Sequence, residues 1–259
     1  MSSSISYARI RAWARTFIPP AIYMWLARRE PLIVVPIVPF LLMFVAAQVV
    51  FAGWPQIDLA VSQVFFDDHF VAARLPGLED VRQVLWMATI VMFLLAVIMA
   101  FATALTRIPF PIQSGAWAYI ALVYLAAPGI LVNGVLKEYW GRARPADVSV
   151  FGGDAVFTPA FQIASECASN CSFVSGEVAG TTAFAIALFV LARQLSDPYW
   201  STPLRWIACA SVVIVALQRV STGRHFLSDA VFAILITVAV ALLIDFGQRL
   251  LWKSKGVQV

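Results

Sequence analysis

Residues 86–106 read WMATIVMFLLAVIMAFATALT, a run with no charged side chain. About 20 mostly apolar residues are what a helix needs to cross the hydrocarbon of a bilayer. Outward from this stretch the pattern recurs at 32–52, 116–136, 176–195, 203–218 and 229–251. The 176–195 run is rich in small residues and 203–218 is short. Pro36 and Pro39 are expected to bend the first run, and Pro128–Gly129 to interrupt the third. Composition agrees: 61% of the 259 residues are hydrophobic and 12% charged, against about 25% charged in a soluble domain. Mean hydropathy is +0.85. The chain reads as an all-α integral membrane protein, six transmembrane helices in one bundle.

The connections set its orientation. Arg9, Arg11, Arg15, Arg28 and Arg29 precede the first run; Arg107, Arg193, Arg205, Arg249, Lys253 and Lys255 fall on the same side if six runs cross. That side should be cytoplasmic, which places both termini there. A net charge of +4 and a pI near 9.2 are thus read as topology signals, not as a nucleic-acid surface. The first connection is acidic, with Asp58, Asp67, Asp68, Glu79 and Asp80 against Arg74 and Arg82, and belongs outside. Residues 1–31 lack an uninterrupted apolar core and a small-residue cleavage site, so they are not a signal peptide. They read as a basic amphipathic helix at the membrane surface, anchored by Trp13, Phe17, Tyr23 and Trp25. The membrane domain then covers 32–251 and a cytoplasmic tail 252–259.

Two outer connections break the charge rule. KEYWGRARP (137–145) and QRVSTGRHFLSD (218–229) put Lys137, Arg142, Arg144, Arg219 and Arg224 on the outer side. Charges near a membrane are costly unless paired or functional. Cations without matching carboxylates suggest an anion pocket, and the arginine fork suits phosphate. Between them, CSFVSGE (171–177) brings Ser175 and Gly176 to the start of a helix, where free N–H groups and the helix dipole favour an anion. His225 and Asp229 are four residues apart, one helical turn. An aspartate there can accept a proton from one ring nitrogen and aim the other at phosphorus, which is the pairing of nucleophile and orienter. Arg142 and Arg224 are read as lipid-headgroup or solvent contacts. Cys167 and Cys171 bracket the loop before the second block and have no third cysteine or histidine near them. That makes a poor zinc site; outside the cytoplasm the pair can form a disulfide, if the geometry allows.

Together these blocks resemble the type-2 phosphatidic acid phosphatase superfamily. Its motifs are Lys, six residues, Arg-Pro; then Pro-Ser-Gly-His; then Ser-Arg, five residues, His, three residues, Asp. Here stand Lys137 and Arg144-Pro145, then Val174-Ser175-Gly176-Glu177, then Gln218-Arg219, His225 and Asp229, in the same order and spacing. The resemblance implies metal-independent chemistry without a cofactor, through a phosphohistidine. It makes His225 the nucleophile and Asp229 its orienter. Lys137, Arg144, Arg219, Ser175 and Gly176 become the phosphate cradle.

Glu177 departs from the pattern. The family histidine at that place protonates the leaving oxygen, and a glutamate does so only if burial raises its pKa, which nearby cations oppose. The implied substrate is a phosphorylated membrane lipid, met at the periplasmic face of a bacterial inner membrane. The cysteine-flanked CSFVSGE is similar to the lipid A phosphatases of the superfamily, which favours a lipid A phosphate. Undecaprenyl pyrophosphate, phosphatidylglycerophosphate and phosphatidic acid stay open, as does transfer of the phosphoryl group to another lipid. So does an inactive anion-binding or transport relative, given Glu177. The sequence does not give an oligomeric state.

Overall fold

The computed structural model describes residues 35–105, 112, 114–195 and 197–254. The interfacial segment read at 1–31 and positions 255–259 of the tail lie outside the described residues. Among the described residues the fold is helical, apart from a hairpin in which β1 (Phe66–Asp67) pairs antiparallel with β2 (His69–Phe70).

Helix α1 is Ile37–Gly53. Pro36 is its N-cap and Pro39 lies in its first turn, where a missing N–H leaves no gap in the ladder. The two prolines therefore start this helix and do not bend it. The sharp bend comes after it: α2 (Gln56–Gln63) meets α1 at 84°. Helix α3 is Leu78–Leu105. Helix α4 begins as Ser114–Tyr124, continues through Leu125–Leu136 in a π-helical register, and ends in the turn Lys137–Tyr139. Pro128 was expected to interrupt it. The wider register instead absorbs the lost N–H, and Asn133 Nδ2 donates to the Pro128 carbonyl at 2.7 Å.

Helix α5 is Gly176–Ala192, capped by Ser175 Oγ, which accepts from the Val178 N–H. Helix α6 is Pro198–Ser221, with Asp197 capping the Tyr199 N–H at 2.9 Å and Pro198 at its first position. Helix α7 is Leu227–Ser254, so the tail read at 252–259 begins inside a helix.

Four helices are each long and apolar enough to cross a membrane: Leu78–Leu105, Gly115–Tyr139, Pro198–Ser221 and Leu227–Gly247. The bent α1–α2 pair makes a fifth candidate, and α5 is apolar over a shorter length. At 1.5 Å per residue its seventeen residues span roughly 26 Å. It is also the central helix. All but Glu177, Phe189 and Leu191 of its residues are buried, because glycine and alanine let neighbours approach closely. At Gly180 an added Cβ would lie 3.2 Å from Thr89 and 3.3 Å from Trp86 of α3. The outer helices expose Leu42, Leu94, Ile98, Trp206 and Val213. Apolar surface on that scale suits lipid, not water.

The helices alternate in direction. As a result α3, α5 and α7 begin, and α4 and α6 end, at one end of the bundle. The three polar blocks meet there.

Candidate active site

The blocks are joined by backbone. Segment 171–175 runs between the other two: Cys171 N–H donates to the Lys137 carbonyl (2.9 Å), Ser172 N–H to the Arg142 carbonyl (2.9 Å) and Ser175 N–H to the Asp229 carbonyl (3.2 Å). Ala146 N–H reaches the Gly223 carbonyl at 3.0 Å and closes the ring. Gly223 has φ of +69°, and an added Cβ would meet the Phe70 ring at 2.3 Å. Only glycine fits there, immediately before Arg224 and His225.

Inside this ring lies a cavity of about 510 Å³, bordered by Lys137, Arg144, Gly176, Glu177, Arg219, Arg224 and His225. Seven of the residues selected from sequence thus converge. Ser175 is not among the residues bordering the cavity: it is fully buried and spends its hydroxyl oxygen on the α5 cap. Gly176 does border it, at the N-terminus of α5. Arg144 Nη2 donates to the Asn170 carbonyl at 2.8 Å. Asn170 lies inside the small loop closed by the Cys167–Cys171 disulfide, whose Cα atoms are 5.6 Å apart.

His225 is buried, yet one edge reaches the cavity. Its Nδ1 lies 2.8 Å from the Ser172 carbonyl and 3.8 Å from Asp229 Oδ2. The second distance exceeds hydrogen-bond length. The direct acceptor that fixes the ring is therefore the Ser172 carbonyl, and Asp229 acts one step behind it. Asp229 Oδ2 accepts from the Ser172 hydroxyl (2.5 Å) and the Phe226 N–H (2.8 Å). With Nδ1–H committed to a carbonyl, Nε2 keeps its lone pair. Burial holds the imidazole below its usual pKa; the Asp229 carboxylate opposes this, and Lys137 and Arg144 add to it.

Arg142 is no headgroup contact: it is fully buried. Nη1 donates to Asp229 Oδ1 (2.6 Å) and Ser228 Oγ (2.8 Å), Nη2 to Asp58 Oδ2 (2.8 Å), and Nε to the Thr158 carbonyl (2.9 Å). Its guanidinium lies 4.3 Å from the Phe226 ring centroid. Asp58, on α2, also accepts from the Ser228 N–H at 2.9 Å. A buried charge survives only when paired and fully hydrogen-bonded, and Arg142 meets that condition with two carboxylates.

Glu177 stands between two arginines. Oε1 accepts from Arg219 Nη1 (3.0 Å) and Oε2 from Arg82 Nη1 (3.2 Å). Gln218, in place of the family serine, braces Arg219 by accepting from its Nε at 2.6 Å. Arg224 is exposed and borders the cavity.

Asp58, Ser172, Glu79, Arg82 and Trp86 were not singled out from sequence. Ser172 lay inside the second block, where attention went to Ser175. Asp58, Glu79 and Arg82 had been counted only as outer-loop charges. The i, i+3, i+7 spacing of Glu79, Arg82 and Trp86 is the one signal that could have marked a common helix face.

Comparison with known proteins agrees with this geometry. The PAP2 superfamily model matches residues 117–248. A protein of Rhizobium leguminosarum named lipid A 4'-phosphatase is 33% identical over 219 residues, 76% of this chain and 90% of that protein. A lipid A 4'-phosphatase of Francisella tularensis subsp. novicida (strain U112) is 38% identical over 119 residues, 44% of this chain; the match spans half the length of that relative. The crystal structure of a transmembrane PAP2-type phosphatidylglycerolphosphate phosphatase from Bacillus subtilis superposes with a TM-score of 0.55 at 20% identity, covering 80% of this chain and 94% of that one. At that identity the likeness speaks for the fold. With the family model spanning more than half its length and one relative matched over most of both chains, this chain belongs to the PAP2 superfamily, as a homologue of its membrane lipid phosphatases.

Proposed function

We propose that this lipid phosphatase removes a phosphate from lipid A through a phosphohistidine at His225. In this reading six spans cross the inner membrane, with both termini in the cytoplasm and the cavity at the periplasmic face. One observation carries the chemistry: Nδ1 of His225 is committed to the Ser172 carbonyl, so the free Nε2 belongs to the edge that meets a cation-lined cavity. The alternation of helix ends supports the topology, since every site residue falls at one end. Arg193 and Arg205 lie at the other end, where positive charge marks the cytoplasm. The relatives named lipid A 4'-phosphatase support the substrate.

In the first step Nε2 attacks phosphorus and the P–O bond to the lipid breaks. Lys137, Arg144, Arg219 and the first amides of α5 hold the phosphoryl oxygens as charge builds on them. Both oxygens of Glu177 are engaged by guanidinium groups, and in this reading the leaving oxygen takes its proton from water in the open cavity. In the second step water attacks the phosphohistidine, breaking the N–P bond and releasing inorganic phosphate. The imidazole returns to its neutral form.

The test is a panel of lipid A, undecaprenyl pyrophosphate, phosphatidylglycerophosphate and phosphatidic acid, presented to the purified protein in one detergent. Inorganic phosphate and the mass of the lipid product are followed. Lipid A should give the highest kcat/KM, with phosphate free in solution. Equal rates on all four, or label appearing on an acceptor lipid, would reject this substrate or the hydrolytic outcome.

The pH profile should carry the mark of burial. The nucleophile must be neutral, and burial lowers the His225 pKa. Activity should therefore persist as pH falls through the usual imidazole range near ~6.5, with the acid limb of kcat/KM below it. An acid limb at or above that range would contradict the assignment.

A further inference from the structure

The cavity is larger than a phosphoryl group needs. Its volume is about 510 Å³, and its lining extends from the cations around His225 to Ala73, Asn133 and Thr222. The cations around His225 account for one part of its wall. Another part comes from α3, which precedes residue 117 and so lies outside the matched family stretch. Glu79, Arg82 and Trp86 form a single stripe of that helix, and all three border the cavity.

This stripe is chemically unlike the phosphate cradle. Arg82 Nε donates to Glu79 Oε1 at 2.8 Å, and its Nη1 to Glu177 Oε2 at 3.2 Å. Arg219 reaches the other Glu177 oxygen, and Gln218 Nε2 reaches Glu79 Oε2 at 3.4 Å. Arg82 is thus offset by two carboxylates, which would repel a second phosphate. With Arg219, which also pairs with both glutamates, the cluster of two arginines and two carboxylates carries hydrogen-bonding capacity without net charge. Two N–H groups of Arg82 and the spare lone pairs of both glutamates are unspent. Beside them Trp86, partly exposed, packs closely on α5 at Gly180, where an added Cβ would lie 3.3 Å from its ring. An indole face next to planar polar groups fits a ring with C–H bonds on its faces and hydroxyls on its edge.

We infer that Glu79, Arg82 and Trp86 of α3, together with Glu177, form the leaving-group subsite and that it takes a sugar ring. The enzyme then selects a phosphate borne on a sugar over one borne on glycerol. Glu177 is a positioning residue shared by cradle and subsite. The inference rests on the phosphatase reading above and goes further by assigning selectivity to a helix outside the motif blocks.

The experiment compares kcat/KM on a lipid A monophosphate and on phosphatidic acid in the same detergent. Trp86→Ala should lower the ratio of the two by about tenfold, the scale of one lost aromatic contact; Trp86→Phe should hold it within about threefold. A second arm needs no variant. A monoacyl glucosamine lipid should inhibit phosphatidic acid hydrolysis by the unaltered protein with a Ki about tenfold below that of a monoacylglycerol of equal chain length. An unchanged ratio in Trp86→Ala, equal losses on both substrates, or equal Ki values would overturn the subsite while leaving the phosphatase standing. Absence of phosphate release from every lipid by the unaltered protein would instead overturn the phosphatase reading.

Discussion

His225→Ala should lower kcat by about 10⁴-fold or more, the scale seen when a covalent nucleophile is removed. The rate left over is what the cations and amides supply without it. The reason is geometric. Among the described residues His225 is the one imidazole that borders the cavity, and its Nδ1 is committed to a backbone carbonyl. The unaltered protein, quenched in alkali during turnover of radiolabelled substrate, should carry label that acid removes; the variant should carry none. The fold should survive, because the exchange frees one backbone carbonyl and leaves the Asp229 network intact. Phosphate release by the variant at the parental rate would end the covalent mechanism.

Arg142→Met should be the most damaging single change to the fold. Methionine fills much of the volume but leaves Asp58 and Asp229 as buried carboxylates without their cation. Breaking such a network costs about 3–5 kcal/mol, out of a total near 5–15 kcal/mol for a folded domain. Thermal unfolding in detergent should fall by about 10 °C, and activity with it, because Asp229 holds Ser172 and Ser172 holds His225. Arg142→Lys should not rescue: an ammonium cannot serve two carboxylates, a hydroxyl and a carbonyl with the reach of the planar fork. Adding Asp58→Asn to Arg142→Met should return part of the lost stability, since one stranded charge is gone. An unfolding temperature within 2 °C of the parent would show that the buried triad carries no such weight.

The division between what was legible and what was not follows the range of the interactions. Apolar runs report helices directly: each of the six segments falls on a helix, four of them long and apolar enough to cross a membrane and the bent α1–α2 pair a fifth candidate. The spacing of Lys137, Arg144, Arg219 and His225 is local within each block, and those four do meet at one cavity. Arg142 was misread because an arginine two residues from a motif position looks the same whether it faces water or two aspartates. Its partners lie 84 and 87 positions away. Asp58 and Ser228 are 170 apart. No periodicity encodes such pairings; they follow from how the helices pack. Asp229 was legible in part: one helical turn does bring its Oδ2 to 3.8 Å from His225 Nδ1, but the nearer Ser172 carbonyl, at 2.8 Å, carries no mark in the sequence spacing. Glu177 was judged against the residue it replaces. Its meaning depends on Arg82, which sits on a helix before the first motif block.

The buried triad also bears on when activity can arise. Asp58 is synthesised early, Arg142 midway, and Ser228 and Asp229 only as the last helix emerges. A ribosome-bound chain short of that helix would hold an arginine and an aspartate awaiting their final partner, and no nucleophile. Under the proposed mechanism the site is complete only once α7 has been made, so a product truncated before α7 could not act on the lipids around it.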